Sequence, residues 1–207
     1  MTVTYDDATH SYTVNGKRVP SVTEITGILT AGKYSGGNDA VLVQAQRRGT
    51  EVHELCEAID CGIDPEELEI APELVGYVNA YLSFLRDWSP EWDFLEKIVC
   101  CDEFAGRADR IGKIDGKTVI LDIKTTSNMD RISKLALYFQ LHGYWQAMAK
   151  YGTPFPCRML GLQLKKDGKY TLHWSDDIER KYLAGQDKWL IWRYLLTITK
   201  IIGGYDE

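Results

Sequence analysis

The dipeptide Asp115-Gly116 separates two runs of strand-forming residues and constrains the fold more than any other feature of this chain. A two-residue hairpin turn needs a positive φ at both central positions, which glycine adopts freely and aspartate tolerates. We therefore predict antiparallel strands over Arg107–Ile114 and Lys117–Lys124, joined by this turn.

The predicted register places Asp109 opposite Asp122 on one face of the hairpin, at a Cβ separation of about 5 Å where like charges repel. Lys124 lies two residues beyond Asp122 and shares its face, whereas Ile123 points to the opposite face. Two carboxylates and the backbone carbonyl of Ile123 are hard ligands that suit Mg²⁺ or Mn²⁺. A lysine beside such an ion can orient a water and favour its deprotonated form, so the pattern indicates phosphodiester hydrolysis.

An isolated Asp-x-Lys is also common in surface hairpins whose charges are only solvated. Here the second strand contains Val119, Ile120, Leu121 and Ile123, which indicates a buried strand. Carboxylates are rarely left unpaired in such surroundings. The apolar setting therefore favours a functional site over a solvated hairpin.

The segment GRADRIG at 106–112, followed by DIKT at 122–125, resembles the PD-(D/E)XK nuclease superfamily, in particular its RecB-like and phage exonuclease branch. Further segments that resemble this branch are HSYTVNGKRVPSVTEI (His10–Ile25), RRGTEVHE (Arg47–Glu54), EKIVCCDEFAGRAD (Glu96–Asp109) and QLHGY (Gln140–Tyr144). Each motif is weak alone, but together they follow one order along most of the chain.

The resemblance implies an α/β fold with a restriction-endonuclease-like core. We expect a mixed, largely antiparallel central sheet with the hairpin at its centre and helices on both faces. The activity it implies is that of a divalent-metal-dependent DNA exonuclease of phage or prophage recombination or DNA processing. A structure-specific endonuclease, and a non-catalytic DNA-binding subunit with a nuclease-like fold, are the alternatives.

The resemblance also implies roles for individual residues. Metal ligands would be His53, Asp109, Asp122 and the carbonyl of Ile123, with Glu96 as a candidate for a second metal or for orienting a ligand. Catalytic residues would be Asp109, Asp122, Lys124, Gln140 and Tyr144. A lone histidine such as His53 is otherwise a hydrogen-bonded core residue, and a Gln140–Tyr144 pair is otherwise a contact between packed helices.

The chain has 24 Lys and Arg against 30 Asp and Glu, a formal net charge of −6. Modules that bind duplex DNA passively usually present a basic face, so this charge argues against that class. It is less damaging to a nuclease, because bound divalent cations supply positive charge at the site. Arginines that would contact DNA locally are Arg47, Arg48, Arg107 and Arg110, unless they form an ordinary solvated surface.

The cofactor we expect is Mg²⁺ or Mn²⁺, as one or two ions. Five cysteines form no Cys-x-x-Cys pair, and their odd number argues against a complete set of disulfides. Some relatives hold an iron–sulfur cluster through one upstream and three clustered C-terminal cysteines, but only Cys157 follows Lys124 here. We therefore expect no iron–sulfur cluster.

The expected substrate is linear DNA, single- or double-stranded, and the expected partner is a single-strand annealing or recombination protein. A homo-oligomer is compatible with the sequence. The chain has no long apolar run and no secretory leader, so we expect no membrane contact and a cytoplasmic location, in a bacterial host if the gene is phage-encoded.

At 207 residues and 44% hydrophobic composition, the chain is predicted to form one nuclease domain over 1–207, with residues 1–38 as an N-terminal extension of the core. The remaining predicted elements are a hairpin over Val3–Val19, a capped helix from Ser21 to Leu29, a loop over Thr30–Asn38, helices over Asp39–Asp60, from Pro72, over Ile132–Tyr151 and over Ile178–Ile201, a strand over Glu96–Cys101, and a second hairpin over 156–175.

Overall fold

Two β-sheets and six α-helices make up the computed structural model, which describes residues 1–7, 9–34, 39–149 and 157–205. The strands are β1 (Val3–Asp6), β2 (Ser11–Val14), β3 (Lys17–Val19), β4 (Glu91–Cys100), β5 (Ala105–Ile114), β6 (Lys117–Lys124), β7 (Arg158–Leu164) and β8 (Tyr170–Trp174). The helices are α1 (Val22–Tyr34), α2 (Asp39–Asp60), α3 (Val75–Trp88), α4 (Arg131–Ala149), α5 (Ser175–Tyr182) and α6 (Lys188–Gly203), and a 3₁₀ turn spans Pro65–Glu67.

The central sheet has the strand order β4-β5-β6-β7-β8. Its neighbours are antiparallel except β6 and β7, which are parallel and are joined through α4. In the β5–β6 hairpin Ile114 pairs with Lys117 and Arg110 with Leu121, as the turn predicted. Asp115 and Gly116 have φ of +50° and +69°. The predicted α/β class and mixed sheet are confirmed.

Helices cover both faces of the central sheet. On one face Ile120 packs in a buried cluster with Val22 of α1, Leu141 of α4 and Trp192 of α6. On the other face the side chains of Leu121 and Ile123 pack against buried residues of α2 and α3, among them Val52, Cys56, Tyr81 and Phe84. Strand β6 therefore contributes side chains to two separate cores, because successive strand residues point to opposite faces of the sheet.

The N-terminal residues form a second sheet in the order β1-β2-β3. Its Asn15-Gly16 turn lies where the sequence predicted, and β1 adds a third strand to the predicted hairpin. Ser21 and Glu24 form a reciprocal capping box at α1, with Ser21 N donating to Glu24 Oε2 at 2.7 Å and Glu24 N to Ser21 Oγ at 3.0 Å. This capping box fixes where the N-terminal sheet ends and helix α1 begins.

Two predicted helix boundaries were wrong. Helix α1 continues through Thr30–Tyr34 instead of ending at Leu29, because Lys33 Nζ lies 2.6 Å from Asp130 Oδ2 and 2.8 Å from Ser133 Oγ at the start of α4. Residues 35–38 of the predicted loop lie outside the described residues. Helix α3 begins at Val75 instead of Pro72, after a turn in which Leu74 N donates to Ala71 O.

The predicted closing helix over Ile178–Ile201 is two helices, α5 and α6. The first ends at Tyr182, where Leu183 N donates to Glu179 O at 2.8 Å, and Gly185 in the turn that follows has a left-handed φ of +73°. Asp187 then caps the second, since its carboxylate accepts from Leu190 N at 3.0 Å.

The end of α4 predicted at Tyr151 and the start of the second hairpin at 156 lie outside the described residues. No helix among those described is both long and apolar enough to cross a bilayer. That residues 1–207 form one domain stays a prediction.

Substitutions at two glycines test how tightly α4 packs against α1 and α6. A Cβ added at Gly143 would lie 2.5 Å from Trp192 Cη2 and 3.0 Å from Val22 Cγ1, whereas one added at Gly27 of α1 meets nothing within 4 Å. Gly143→Ala should lower the free energy of unfolding by about 1–3 kcal/mol through overpacking. Gly27→Ala should raise it by about 0.5–1 kcal/mol, because alanine loses less backbone entropy in a helix. Urea denaturation measures both, and equal stabilisation by the two substitutions would contradict the packing described.

Candidate functional site

The two hairpin aspartates are buried where β5 and β6 meet. Asp109 is 6% exposed and Asp122 is 1% exposed. Asp109 Oδ2 accepts a hydrogen bond from the backbone N–H of Ile123 at 2.6 Å, which ties the carboxylate of one strand to the backbone of the other. Burial, followed by repulsion from Asp122, raises the pKa of Asp109.

Asp122 is held by two polar side chains. Lys124 Nζ lies 2.8 Å from its Oδ2, and Gln140 Nε2 donates to its Oδ1 at 2.7 Å. Gln140 Nε2 also donates to the hydroxyl of Tyr144 at 2.8 Å. Burial raises the pKa of Tyr144 well above its ordinary value, so its phenol is neutral. The structure thus joins Asp122, Gln140 and Tyr144, three of the residues predicted to be catalytic, by hydrogen bonds, and Lys124 is joined to them through its ion pair with Asp122.

His53 reaches the hairpin from α2. Its Nε2 lies 3.1 Å from the carbonyl oxygen of Ile123, and its Nδ1 lies 3.6 Å from Asp109 Oδ2. Because a carbonyl oxygen only accepts, Nε2 carries the hydrogen and Nδ1 keeps its lone pair toward Asp109. Burial lowers the pKa of His53, which favours the neutral ring that metal ligation requires. The carbonyl of Ile123, predicted as a metal ligand, is the acceptor of this hydrogen bond.

Glu96 enters the site from β4 in an unusual backbone conformation. Its φ is +47°, which is uncommon for a residue with a side chain and costs on the order of 1–3 kcal/mol. Its carboxylate is paired with Arg107 Nε at 3.0 Å and with an Arg110 guanidinium nitrogen at 3.1 Å. Burial, followed by repulsion from Asp109, raises the pKa of Glu96. Strained backbone of this kind concentrates at functional sites, because the surrounding structure must compensate for it.

His53, Glu96 and Asp109 are arranged so that they could hold a metal ion. One ligand atom from each lies within 4.8 Å of the other two. Two carboxylates and one neutral imidazole suit a hard divalent cation such as Mg²⁺ or Mn²⁺. The raised pKa values of both carboxyls indicate charge that a cation would relieve. Asp122 lies beside this group, with its two oxygens turned to Gln140 and Lys124.

These residues line one cavity of about 300 Å³. A second wall of the cavity, which the sequence did not predict, comes from the N-terminal sheet and the start of α1. It consists of Tyr5, His10, Tyr12, Ser21 and Thr23. The hydroxyl of Tyr5 lies 2.6 Å from His10 Nδ1, and the Arg107 guanidinium lies 5.4 Å from the centre of the Tyr5 ring. The only signal for this wall in the sequence was the likeness of residues 10–25 to phage nucleases, which says nothing about which side chains face the site.

Arg110 requires a correction. The sequence predicted that Arg110 contacts DNA, but its side chain is fully buried and has no surface to offer a phosphate. Its Nε lies 2.5 Å from Asp60 Oδ2, and a terminal nitrogen donates to the Asp109 carbonyl at 2.8 Å. Tyr81 donates to the same Asp60 oxygen at 2.6 Å. Arg110 therefore anchors the backbone of Asp109 and the side chain of Glu96 from beneath, a role that Asp60 and Tyr81 support and that no local sequence signal marks.

The other arginines predicted to contact DNA are dispersed. Arg107 lines the site cavity. Arg47 is exposed and paired with Glu51 at 2.7 Å, and Arg48 lies with its guanidinium 5.8 Å from the centre of the Tyr77 ring. Both line a separate cleft of about 950 Å³ between α2 and the segment that leads into α3. Their assignment to DNA contact stays a prediction.

Comparisons with known proteins give a family and one structural likeness. A family model of the PD-(D/E)XK nuclease superfamily matches residues 40–190, which is more than half of the 207 residues. Among solved structures, a crystal structure of LHK-Exo in complex with dAMP is similar to this chain at 13% identity, covering 90% of this chain and 93% of that chain with a TM-score of 0.34. No curated protein matches the chain.

The buried pairing of Arg110 predicts a contrast between two neighbouring arginines. Arg110→Met leaves the carboxylates of Asp60 and Glu96 without their buried counter-charge and should lower the free energy of unfolding by about 3–5 kcal/mol. Arg107→Met is the matched control. Its side chain is 42% exposed, so loss of its ion pair with Glu96 should change stability by at most about 1 kcal/mol. Chemical denaturation without added metal measures both; similar losses for the two variants would show that burial does not decide their roles.

Proposed function

The chain belongs to the PD-(D/E)XK nuclease superfamily, and on that premise we propose that it is a divalent-metal-dependent DNA exonuclease. The observation that carries this proposal is the convergence of His53, Glu96, Asp109, Asp122 and Lys124 on one cavity. Buried carboxylates with raised pKa values, beside one lysine and one neutral imidazole, are unfavourable for stability alone. They form a suitable environment for a divalent cation and a phosphodiester.

Nucleases of this superfamily use divalent metals, and the donor set here fits one. His53 Nδ1 and the carboxylates of Glu96 and Asp109 would hold the ion, with Asp122 next to it. When bound, the ion would act as a Lewis acid toward the phosphoryl oxygens and would lower the pKa of a nearby water.

The residues of the chain supply the remaining functions. Lys124 brings a positive charge to Asp122 and is partly exposed, so its ammonium group can orient a water against the scissile phosphate. Gln140 holds Asp122 and Tyr144 in place and keeps that carboxylate from rotating. Hydrolysis then adds the oxygen of the water to phosphorus, breaks a phosphorus–oxygen ester bond and returns a proton to the leaving oxygen.

Exonuclease action, as opposed to endonuclease action, is supported by the five sequence segments that resemble phage exonucleases. The same likeness supports a role in phage or prophage recombination, a partner that anneals single strands, and work in the host cytoplasm. An endonuclease is the second candidate, because the grouped ligands and Lys124 would hydrolyse an internal phosphodiester bond by the same chemistry. A non-catalytic subunit is disfavoured by the presence of both aspartates and the lysine.

Cleavage of DNA is the decisive prediction. End-labelled linear DNA and closed circular DNA are incubated in parallel with Mn²⁺ and the full chain. Wild type should degrade the linear substrate and leave the circle intact. Lys124→Ala should lower the rate by about 10²-fold or more, since it removes the group that positions the water.

Lys117→Ala is the matched control for this assay, because Lys117 begins the same strand as an exposed residue and should not affect the rate. Nicking of the circle by wild type would replace the exonuclease with an endonuclease. Cleavage of neither substrate would make the non-catalytic subunit the better account.

Metal binding is predicted to stabilise the protein without any substrate. Mn²⁺ at a hundredfold excess over its dissociation constant should add about 2.7 kcal/mol to the free energy of unfolding. Asp109→Asn should lose most of that increment, because it removes the negative charge of one of the three grouped ligands, whereas Asp176→Asn at an exposed position of α5 should keep it. Thermal melts with and without Mn²⁺ measure the difference. An equal shift for wild type and Asp109→Asn would place the ion elsewhere.

A further inference from the structure

Three rings form a row along the side of the site cavity that the N-terminal sheet supplies. Tyr5 of β1 and Tyr12 of β2 are directly paired across the strands, and their ring centres lie 4.8 Å apart at an interplanar angle of 37°. The imidazole of His10 continues the row, with its centre 6.2 Å from that of Tyr5. All three residues line the cavity. We call them the aromatic wall, and the hydrolysis described above uses none of them.

The aromatic wall is anchored at one end and open at the other. Tyr12 is 5% exposed and packs in a buried cluster with Val14 and Val19. Tyr5 is half-buried and His10 is exposed. The Tyr5 hydroxyl lies 2.6 Å from His10 Nδ1, which holds these two rings in a defined relation. Tyr12 therefore supports the wall, whereas Tyr5 and His10 offer ring surface to a ligand.

Arg107 connects the aromatic wall to the grouped metal ligands. Its guanidinium lies 5.4 Å from the centre of the Tyr5 ring, and its Nε lies 3.0 Å from Glu96 Oε2. A single side chain thus spans the distance from the wall to a carboxylate of the site. When a phosphodiester lies at these carboxylates, the base of an adjacent nucleotide is within reach of the wall.

The size of the cavity selects the form of DNA that can react. Asp109 and Asp122 are 6% and 1% exposed, so a phosphodiester must enter the cavity to approach them. A cavity of about 300 Å³ matches the smallest small-molecule sites, which run from roughly 300 to 1,000 Å³. It cannot hold a base pair together with both of its backbones. Enzymes that act on a nucleotide inside a pocket take it out of the duplex, and this costs least where the nucleotide is already unpaired.

The charges around the aromatic wall favour a base over a phosphate as its occupant. Asp6 and Asp7 are exposed at the end of β1, beside Tyr5, and their negative charges repel phosphate. Uncharged ring faces accept any base by stacking, because every base has a π-face. Arg107 lies on the inner side of the wall, where a guanidinium can contact the phosphate of the same nucleotide.

We propose that the aromatic wall is a stacking subsite for the base of an unpaired nucleotide at the end of the DNA substrate. The base lies on Tyr5 and His10 while its phosphodiester enters the cavity. This inference rests on the proposed nuclease function and narrows its substrate class to DNA ends that carry unpaired nucleotides.

Binding of DNA ends tests the substrate class. All proteins are the full chain with Lys124→Ala, and Ca²⁺ replaces Mn²⁺, so that the DNA is not consumed. Fluorescence anisotropy compares a blunt duplex with two duplexes of the same sequence that carry three unpaired nucleotides, at the 3′ or the 5′ end. The parent protein should bind one of the extended duplexes about tenfold or more tightly than the blunt one, since its end needs no unpairing.

Substitutions of Tyr5 test the wall itself. Tyr5→Leu should weaken binding of the preferred extended duplex at least about fivefold and leave the affinity for the blunt duplex within about twofold. Tyr5→Phe keeps the ring and loses the contact of the hydroxyl with His10, so it should bind like the parent. Tyr194→Leu is the control, because Tyr194 is a 60% exposed tyrosine of α6 that does not line the cavity. Circular dichroism melts confirm that each variant is folded.

Abasic DNA separates stacking on a base from contact with the backbone. When the unpaired nucleotides are abasic, the parent protein should lose at least about fivefold in affinity, and Tyr5→Leu should cause no further loss. The first of these results needs no change in the wall and so does not depend on how a variant folds.

Equal affinity for the blunt and both extended duplexes would overturn the proposal, as would an abasic end that the parent binds as tightly as the intact one. A loss by Tyr5→Leu that persists on abasic DNA would show that the ring contacts the backbone instead of a base. Because binding is measured without cleavage, these results are distinct from a failure of the proposed nuclease activity, which the cleavage of linear and circular DNA reports.

Discussion

The hydrogen-bonded pairing of β5 with β6 is the constraint on which the site depends. Because a strand alternates its faces, a slip of one residue in this register would exchange every side chain of β6 between the two cores. Asp122 would then enter the apolar cluster that now contains Leu121, and Asp109 would lose the backbone N–H of Ile123. The turn at Asp115-Gly116, the two cores and the geometry of the site therefore all depend on this one register.

The site concentrates negative charge that the fold must compensate. Lys124 compensates Asp122 from the cavity side, and Arg107 and Arg110 compensate Glu96 from the sheet. Buried ion pairs of this kind add little net stability, since removing charges from water offsets most of their attraction. Their value lies in holding carboxylates close together in one geometry. The left-handed backbone at Glu96 is consistent with the same compromise between stability and function.

Local signals in the sequence predicted local structure well. The capping box at Ser21 and Glu24, the turn at Asp115-Gly116 and the bounds of β6 follow from hydrogen bonds and dihedral preferences within a few residues. The prediction was wrong where distant contacts decide. Helix α1 is extended by the ion pair of Lys33 with Asp130, which is far away in the chain. The break before α6 was not predicted, although Gly185 and the capping Asp187 mark it, because the apolar periodicity runs across it.

The sequence by itself predicted that Asp109 lies opposite Asp122 and that Lys124 shares the face of Asp122, because strand alternation and one turn suffice for both predictions, and the structure brings all three side chains to one cavity. It also pointed to His53, Glu96, Gln140 and Tyr144 through their likeness to a family. Only the tertiary structure decided that Arg110 lies beneath the site instead of on the DNA surface, and that the N-terminal sheet walls the cavity. Burial and long-range ion pairs arise when separate elements pack, and no pattern along a single element contains that information.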